Sequence, residues 1–185
     1  IDPLAILSLL ATIGTSNSIE LKYSISQIIE EFRIKTISTS PGKIEIDLLN
    51  ALNKKIVQKY QFDEIRDRLA KVDKRIDEKF WNTVKGNLET VEDIQNWTDI
   101  VFNSELIEPK DKEFIKITLD AMPADPWSDE TWDEWTGKVK ELTGRKGKEL
   151  FLPLREAFTG LSHGPEMKKL IQLLGRQKIL ERVKI

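Results

Sequence analysis

The chain has 185 residues, no cysteine, a single histidine (His163) and a formal net charge of −2. Disulfide frameworks, structural zinc and cysteine nucleophiles are thereby excluded, while the length suffices for one large domain or two small ones with a real core. No apolar run reaches membrane-spanning length and no signal-peptide pattern opens the chain, so a cytoplasmic protein with no membrane partner is the default expectation.

In chain order the pattern reads as helices throughout. Asp2-Pro3, then Leu4 to Ile13, then Gly14 supply an N-cap, a first-turn proline and a left-handed stop. This first helix is apolar nearly all round, which predicts burial on most sides. Such a helix at the start, and Ile1 in place of methionine, suggest a piece of something longer. The Ser/Thr-rich stretch from Thr36 to Gly42 is the best linker candidate.

From Ile46 the apolar residues Ile46, Leu49, Leu52, Ile56 and Tyr60 form a helical stripe. A run from Asp63 carries Ile65, Leu69 and Val72, and a third carries Phe80, Trp81, Val84 and Leu88. Thr90 and Asp93 resemble a capping pair ahead of Ile94, Trp97 and Val101. A second boundary falls near Asn103-Ser104. Pro109 is expected to open the next helix, with Phe114, Ile117 and Met122 inward and Pro123 ending it.

Asp125-Pro126-Trp127-Ser128 reads as a turn and cap before Trp132, Trp135, Val139 and Leu142. The carboxylates of Asp129, Glu130, Asp133 and Glu134 complement the dipole of that helix and read as solvated charges rather than an acid–base pair. Trp127, Trp132 and Trp135 have the side-chain type to stack on bases, but helical spacing assigns at least two of them to the core. Gly144-Arg145-Lys146-Gly147-Lys148 is a basic loop. Two short helices follow, split at His163-Gly164-Pro165, and Gly175 precedes Ile179, Leu180 and Val183. Only Ile44-Glu45-Ile46 hints at a strand, so the expected fold class is all-α, a helical bundle.

Charge is unevenly spread. Residues 137–185 hold twelve Lys or Arg against five Glu, whereas residues 103–136 hold three Lys against ten acidic residues. The asymmetry fits contact with a polyanion, although charge alone favours a solvated lysine-rich surface. No glycine spacing matches a phosphate-binding loop. His163, beside Gly164-Pro165, suits a loop better than a catalytic role. No residue set resembles an active site.

The C-terminal stretch nevertheless carries specific motifs in order. Gly144-Arg145-Lys146-Gly147-Lys148, Pro153-Leu154-Arg155, Thr159-Gly160, His163-Gly164-Pro165-Glu166 and Leu174-Gly175-Arg176 together resemble the C-terminus of bacterial glutamyl-tRNA synthetases. Upstream, Asp2-Pro3-Leu4-Ala5-Ile6 and Gly14-Thr15-Ser16 are similar to the segment after that family's nucleotide-binding lysine motif. Ser40-Pro41, Leu52-Asn53, Phe62-Asp63-Glu64 and Arg66-Asp67-Arg68-Leu69 resemble the junction into its helical half. The His-Ile-Gly-His-type signature and the lysine-rich loop are absent.

The resemblance implies a tRNA anticodon-binding portion of a glutamate–tRNA ligase, a class I aminoacyl-tRNA synthetase, without its catalytic domain. It implies residues 1–58 as a stem-contact remnant and linker, 59–105 as a first anticodon-binding helical domain and 106–185 as a second. The parent would use ATP and Mg, with no catalytic residue, metal or cofactor in this portion, and would be monomeric. Its partner would be tRNA(Glu).

Carried over residue by residue, Arg155 would offer its planar fork to a base edge or phosphate, Gly164 would let a splayed base approach, and Pro165 and Met167 would supply an apolar face. Lys146, Lys148, Lys168 and Lys169 would contact phosphates. Asn87 falls where family members restricted to glutamate tRNA tend to have an arginine that reads the third anticodon base, which implies a parent that also accepts tRNA(Gln). Two plainer readings stay open: Arg155 pairs with Glu149 or Glu156, and Gly160 and Gly164 are helix punctuation. The alternative function is a helical protein-interaction domain whose basic C-terminal surface meets an acidic protein.

Overall fold

The computed structural model describes residues 1–40, 42–103 and 105–185. Pro41 and Ser104, which belong to the two boundaries expected from the sequence, lie outside the described residues. Among the described residues the regular structure is ten α-helices joined by loops and 3-10 turns, with no named strand, as the all-α reading requires. The chain divides into two compact units, residues 1–74 with 88–94 and residues 75–87 with 95–185. The three-segment division with boundaries after 58 and 105 is a different partition.

The first unit contains α1 (Pro3–Thr12), α2 (Ile25–Glu31), α3 (Ile46–Lys59) and α4 (Phe62–Val72). Its start follows the local rules: the Asp2 carboxylate accepts from the Leu4 amide at 2.9 Å, and Gly14 takes a φ of +77° just past the helix. Ala5 and Leu9 of α1 meet Leu52 and Ile56 of α3 in a small apolar core with Leu21. The expectation that α1 is buried on most sides needs correction. Ile6 and Leu7 are each 39% exposed and Leu10 is 48% exposed, because this unit covers only the Ala5/Leu9 side of the helix.

A buried polar link ties this unit together. The Asn53 side chain accepts from the Asp2 amide at 2.6 Å and donates to the Glu89 carbonyl at 2.6 Å, so α3 holds both the start of α1 and the returning segment 88–94. The Tyr60 hydroxyl donates to the Asp2 carboxylate. Burial first, then the hydrogen bond and the charge of Asp2, push the Tyr60 phenol up to about 12.

The second unit contains α5 (Glu78–Val84), most of α6 (Ile94–Phe102), α7 (Lys112–Asp120), α8 (Thr131–Thr143), α9 (Gly147–Thr159) and α10 (Met167–Arg182). The expected Thr90/Asp93 pair is present: Asp93 accepts from the Thr90 amide at 2.7 Å, capping the 3-10 turn that leads into α6. Trp135 is at the centre. Its indole N–H donates to the Thr118 carbonyl at 2.9 Å, its ring stacks on Phe158 at 5.4 Å, and Trp132 meets it edge-on at 6.1 Å. Trp132 and Trp135 are thus core residues, as expected of at least two of the three tryptophans. Trp127 is half-buried, donating to the Pro123 carbonyl at 3.2 Å.

Three details depart from the periodicity. Helix α7 begins at Lys112 and not at Pro109, because Asp111 is the cap: its carboxylate accepts from the Phe114 amide at 3.1 Å. Ile115 and Thr118 are its buried positions beside Phe114, while Ile117 is only half-buried. Leu142, expected inward, is 58% exposed in the last turn of α8.

Helix α10 is interrupted at Gly175, whose φ is +71°. Beyond the break, Arg182 is 3% exposed and spans two elements: it donates to the Phe158 carbonyl at 3.0 Å and to the Asn103 carbonyl at 2.9 Å. The first bond satisfies one of the carbonyls that a helix end leaves without a partner. The Ile107 amide donates to the Arg182 carbonyl at 2.8 Å and the Lys184 amide to the Ile107 carbonyl at 2.9 Å, pairing the C-terminal residues with the segment before α7.

The Tyr60 link gives a signed pH dependence. A phenol whose folded-state pKa is raised contributes stability that is fully present below its unfolded value near 10 and is lost as pH rises towards about 12. Stability by urea unfolding should therefore fall over this interval more in the native chain than in Tyr60→Phe. Identical pH profiles for the two chains would remove Tyr60 from the account.

Candidate nucleic-acid interface

The candidate site begins on α9, which stays helical through Pro153 although that residue has no amide to give the preceding turn. Two residues on, Arg155 is half-buried, and its Nη2 donates to the Pro165 carbonyl at 2.8 Å. Its Nη1 is buried without a hydrogen-bond partner, and burial lowers the pKa of the guanidinium from its ordinary value. Glu156 pairs with Lys110 at 3.0 Å, and no ion pair of Arg155 with Glu149 or Glu156 occurs among the described residues. The arginine thus braces the turn between α9 and α10 by holding its backbone.

The turn itself is closely specified. Helix α9 stops at Gly160 with a φ of +75°, and the Thr159 hydroxyl donates to the Arg155 carbonyl at 2.7 Å while accepting from the Leu161 amide at 3.1 Å. Gly164 has a φ of +148°, in the region that disfavours L side chains. A Cβ there would lie 2.4 Å from Trp97 Cη2 and 3.3 Å from Arg155 Nη1. The glycine is therefore needed for packing, whatever else approaches it. Pro165 and Met167 are buried, so in this conformation their apolar surface goes to this unit's interior and not to an outward face. His163 is exposed in the turn, its Nδ1 3.4 Å from the Ser162 hydroxyl.

The lysines divide into two pairs. Lys146 and Lys148 are exposed at the start of α9 and take part in no ion pair found among the described residues. Lys168 is bound to Asp133 at 2.5 Å, and that hydrogen bond raises its pKa. Lys169 lies 3.6 Å from Glu166. A phosphate would have to displace a carboxylate from Lys168 but from neither Lys146 nor Lys148. Arg145, in the same basic loop, bonds Asp111 at 2.6 Å and lies over the Phe114 ring at 4.1 Å, so it anchors the loop. The Arg145 bond first, then the Phe114 amide, lower the pKa of Asp111.

Asn87 is exposed and closes the 3-10 turn Lys85–Asn87 after α5, a helix that packs on α10. The structure thus brings Arg155, Gly164 and Pro165 into one cluster. It adds a residue that sequence reasoning read only as core, Trp97, 6% exposed on α6. The identity of Gly164 signals a close approach, but nothing local says that the approaching group stands 67 positions earlier in the chain. Arg176, from the Leu-Gly-Arg element, is also unusual: its Nε is buried without a hydrogen-bond partner.

Among the described residues no group of three His, Cys, Asp or Glu side chains is placed to hold a metal ion. Nor is any helix of those residues long and apolar enough to cross a membrane.

The chain is 40% identical over 185 residues to glutamate–tRNA ligase 2 of Hyphomonas neptunium, covering 98% of this chain and 42% of that protein. It is 40% identical over 187 residues to glutamate–tRNA ligase 2 of Ehrlichia canis, covering 99% of this chain and 42% of that protein. It thus spans well under half the length of these relatives. The solved glutamate–tRNA synthetase of Elizabethkingia anophelis shares the fold, with a TM-score of 0.76 at 19% identity over 96% of this chain and 39% of that chain. The family model for the anticodon binding domain matches residues 51–185, and the chain belongs to that anticodon-binding family.

Proposed function

We propose that this chain is the anticodon-binding portion of a glutamate–tRNA ligase, selecting tRNA while glutamate is activated elsewhere in the longer polypeptide. The observation that carries the reading is the likeness to glutamate–tRNA ligases through 98% of the chain, including the turn that Arg155 braces. In this reading residues 1–58 contact the stem, and residues 59–105 and 106–185 are the successive anticodon-binding helical domains. The longer ligase uses ATP and Mg and works as a monomer in the cytoplasm.

Anticodon bases are single-stranded and can be splayed onto a protein surface, which suits recognition by a fixed turn. Arg155, Gly164, Pro165 and Met167 provide that turn. Arg155 acts chiefly by holding the turn's backbone, since one of its terminal nitrogens bonds Pro165 and the other is buried. Lys146 and Lys148 supply phosphate contacts at once, and Lys168 and Lys169 do so after exchanging their carboxylate partners for phosphate. Asn87, neutral and both donor and acceptor, accepts either third anticodon base, so the ligase also charges tRNA(Gln) with glutamate.

The first test separates the two kinds of contact. Arg155→Ala should weaken binding of tRNA(Glu) by loosening the turn, and should cost about 1.5–3 kcal/mol of stability for the lost hydrogen bond from a charged donor to the Pro165 carbonyl. Replacing Lys146 and Lys148 by glutamine should weaken binding of all RNA sequences alike and lower the slope of log K against log salt by about one unit per contact. An unaltered salt slope would remove these lysines from the interface. Binding of an acidic protein through the basic surface, with no tRNA binding, would favour the protein-interaction alternative.

A second test concerns the partner. The chain should bind tRNA(Glu) and tRNA(Gln) with affinities that differ by less than about tenfold, or about 1.4 kcal/mol. A larger preference for tRNA(Glu) would overturn the Asn87 reading. Asn87→Arg should then be the change that creates such a preference.

A further inference from the structure

The Gly164 turn is shaped from outside its own sequence. The edge of the Trp97 indole occupies the space a side chain at 164 would need: Cη2 lies 2.4 Å and Cζ2 3.1 Å from the position of a Cβ. Arg155 Nη1 lies 3.3 Å from the same point and is closed off from solvent without an acceptor. Arg155 Nη2 meanwhile holds the next residue's carbonyl at 2.8 Å. The Trp97 ring edge and the Arg155 guanidinium thus both close in on the side of Gly164 where a Cβ would stand, and the same guanidinium holds the Pro165 carbonyl.

We propose that Trp97 is a positioning residue for anticodon selection. Its six-membered ring fixes the position of the Gly164 backbone and with it the approach of the Arg155 guanidinium, so that α6 sets the geometry of the turn that follows α9. Trp97 touches no RNA in this scheme. It acts through Gly164 and Arg155, and the inference rests on the anticodon reading above.

The distinction from a plain core tryptophan lies in what phenylalanine leaves out. Trp97→Phe keeps an aromatic side chain in the core but removes the outer ring atoms that meet Gly164. The turn should loosen while the helices stay formed. Gly164→Ala should be disruptive in the native chain, from both the clash and the positive φ. It should be measurably less so when combined with Trp97→Phe, because the clash with the ring is relieved while the backbone strain and the 3.3 Å approach of Arg155 Nη1 remain.

The test uses the full chain and three readouts. Hydrogen exchange of residues 161–166 should speed up in Trp97→Phe while that of α10 stays unchanged. The ratio of affinities for tRNA(Glu) and for the same tRNA with a substituted anticodon should fall by about fivefold, chiefly through weaker binding of the former. The destabilisation by Gly164→Ala should be smaller in the Trp97→Phe background.

A lower melting temperature with unchanged exchange in 161–166 and an unchanged ratio would make Trp97 a core residue only, and would overturn the proposal. If the native chain binds both tRNAs equally, the anticodon reading itself fails and the role in selection falls with it. The exchange and Gly164→Ala readouts show independently whether Trp97 sets the turn.

Discussion

A peptide unit at a φ of +148°, with an indole edge where a side chain would begin, admits only glycine. The C-terminal turn is arranged around that restriction. With Trp97 closing off the side-chain space at Gly164, the Pro165 carbonyl faces Arg155, and a half-buried guanidinium holds it. Because Arg155 is engaged there, its charge is removed from the acidic side chains nearby, and Glu156 pairs instead with Lys110. Thr159 closes the other end of the turn by bonding forward to Leu161 and back to Arg155. The result is a short loop whose conformation is set before any ligand arrives, which lowers the ordering cost of recognition.

Three of the four arginines between residues 137 and 185 serve three different physical ends. Arg182 is almost wholly buried and bonds backbone carbonyls in two separate segments, so it is a structural tie despite lying in the most basic stretch. Arg145 anchors the basic loop through Asp111 and Phe114. Arg155 holds the turn. Apart from Arg176, whose Nε is buried, the positive charge left for a polyanion is therefore carried by lysines, foremost Lys146 and Lys148, and a net balance of charge by segment overstates what is available at the surface. Lysine suits that role as a flexible point charge for phosphates, whereas the planar fork of arginine suits fixed backbone acceptors.

Much of the fold was legible because its signals are local. The caps at Asp2 and Thr90/Asp93, the glycine stops at Gly14 and Gly160, and the stripes through Leu52/Ile56 and Trp132/Trp135 need only neighbours a turn away. Departures arose where a local signal had a competitor or where burial depended on a distant partner. Pro109 suggested a helix start, but the carboxylate of Asp111 stood two residues on and provided the actual cap. Leu142 and the outer side of α1 matched an apolar period without any packed element of their own unit to cover them. At the candidate site, motif order pointed to Arg155 and Gly164, yet the physical reason for both is Trp97, and no periodicity reports a contact across 67 positions. Likewise, Lys168 and Lys146 look equivalent in sequence, and only the structure shows Asp133 bound to one of them.

We propose that the braced turn between α9 and α10, with the lysines at the start of α9, reads the anticodon arm of a tRNA. Mapping amide chemical shifts of the chain on titration with an isolated anticodon stem-loop of tRNA(Glu) tests it most directly. The account predicts shifts concentrated at 144–148 and 160–167, saturating together and lost when the loop bases are substituted. Saturable binding whose shifts bypass both segments, or no response to the stem-loop at all, would contradict it.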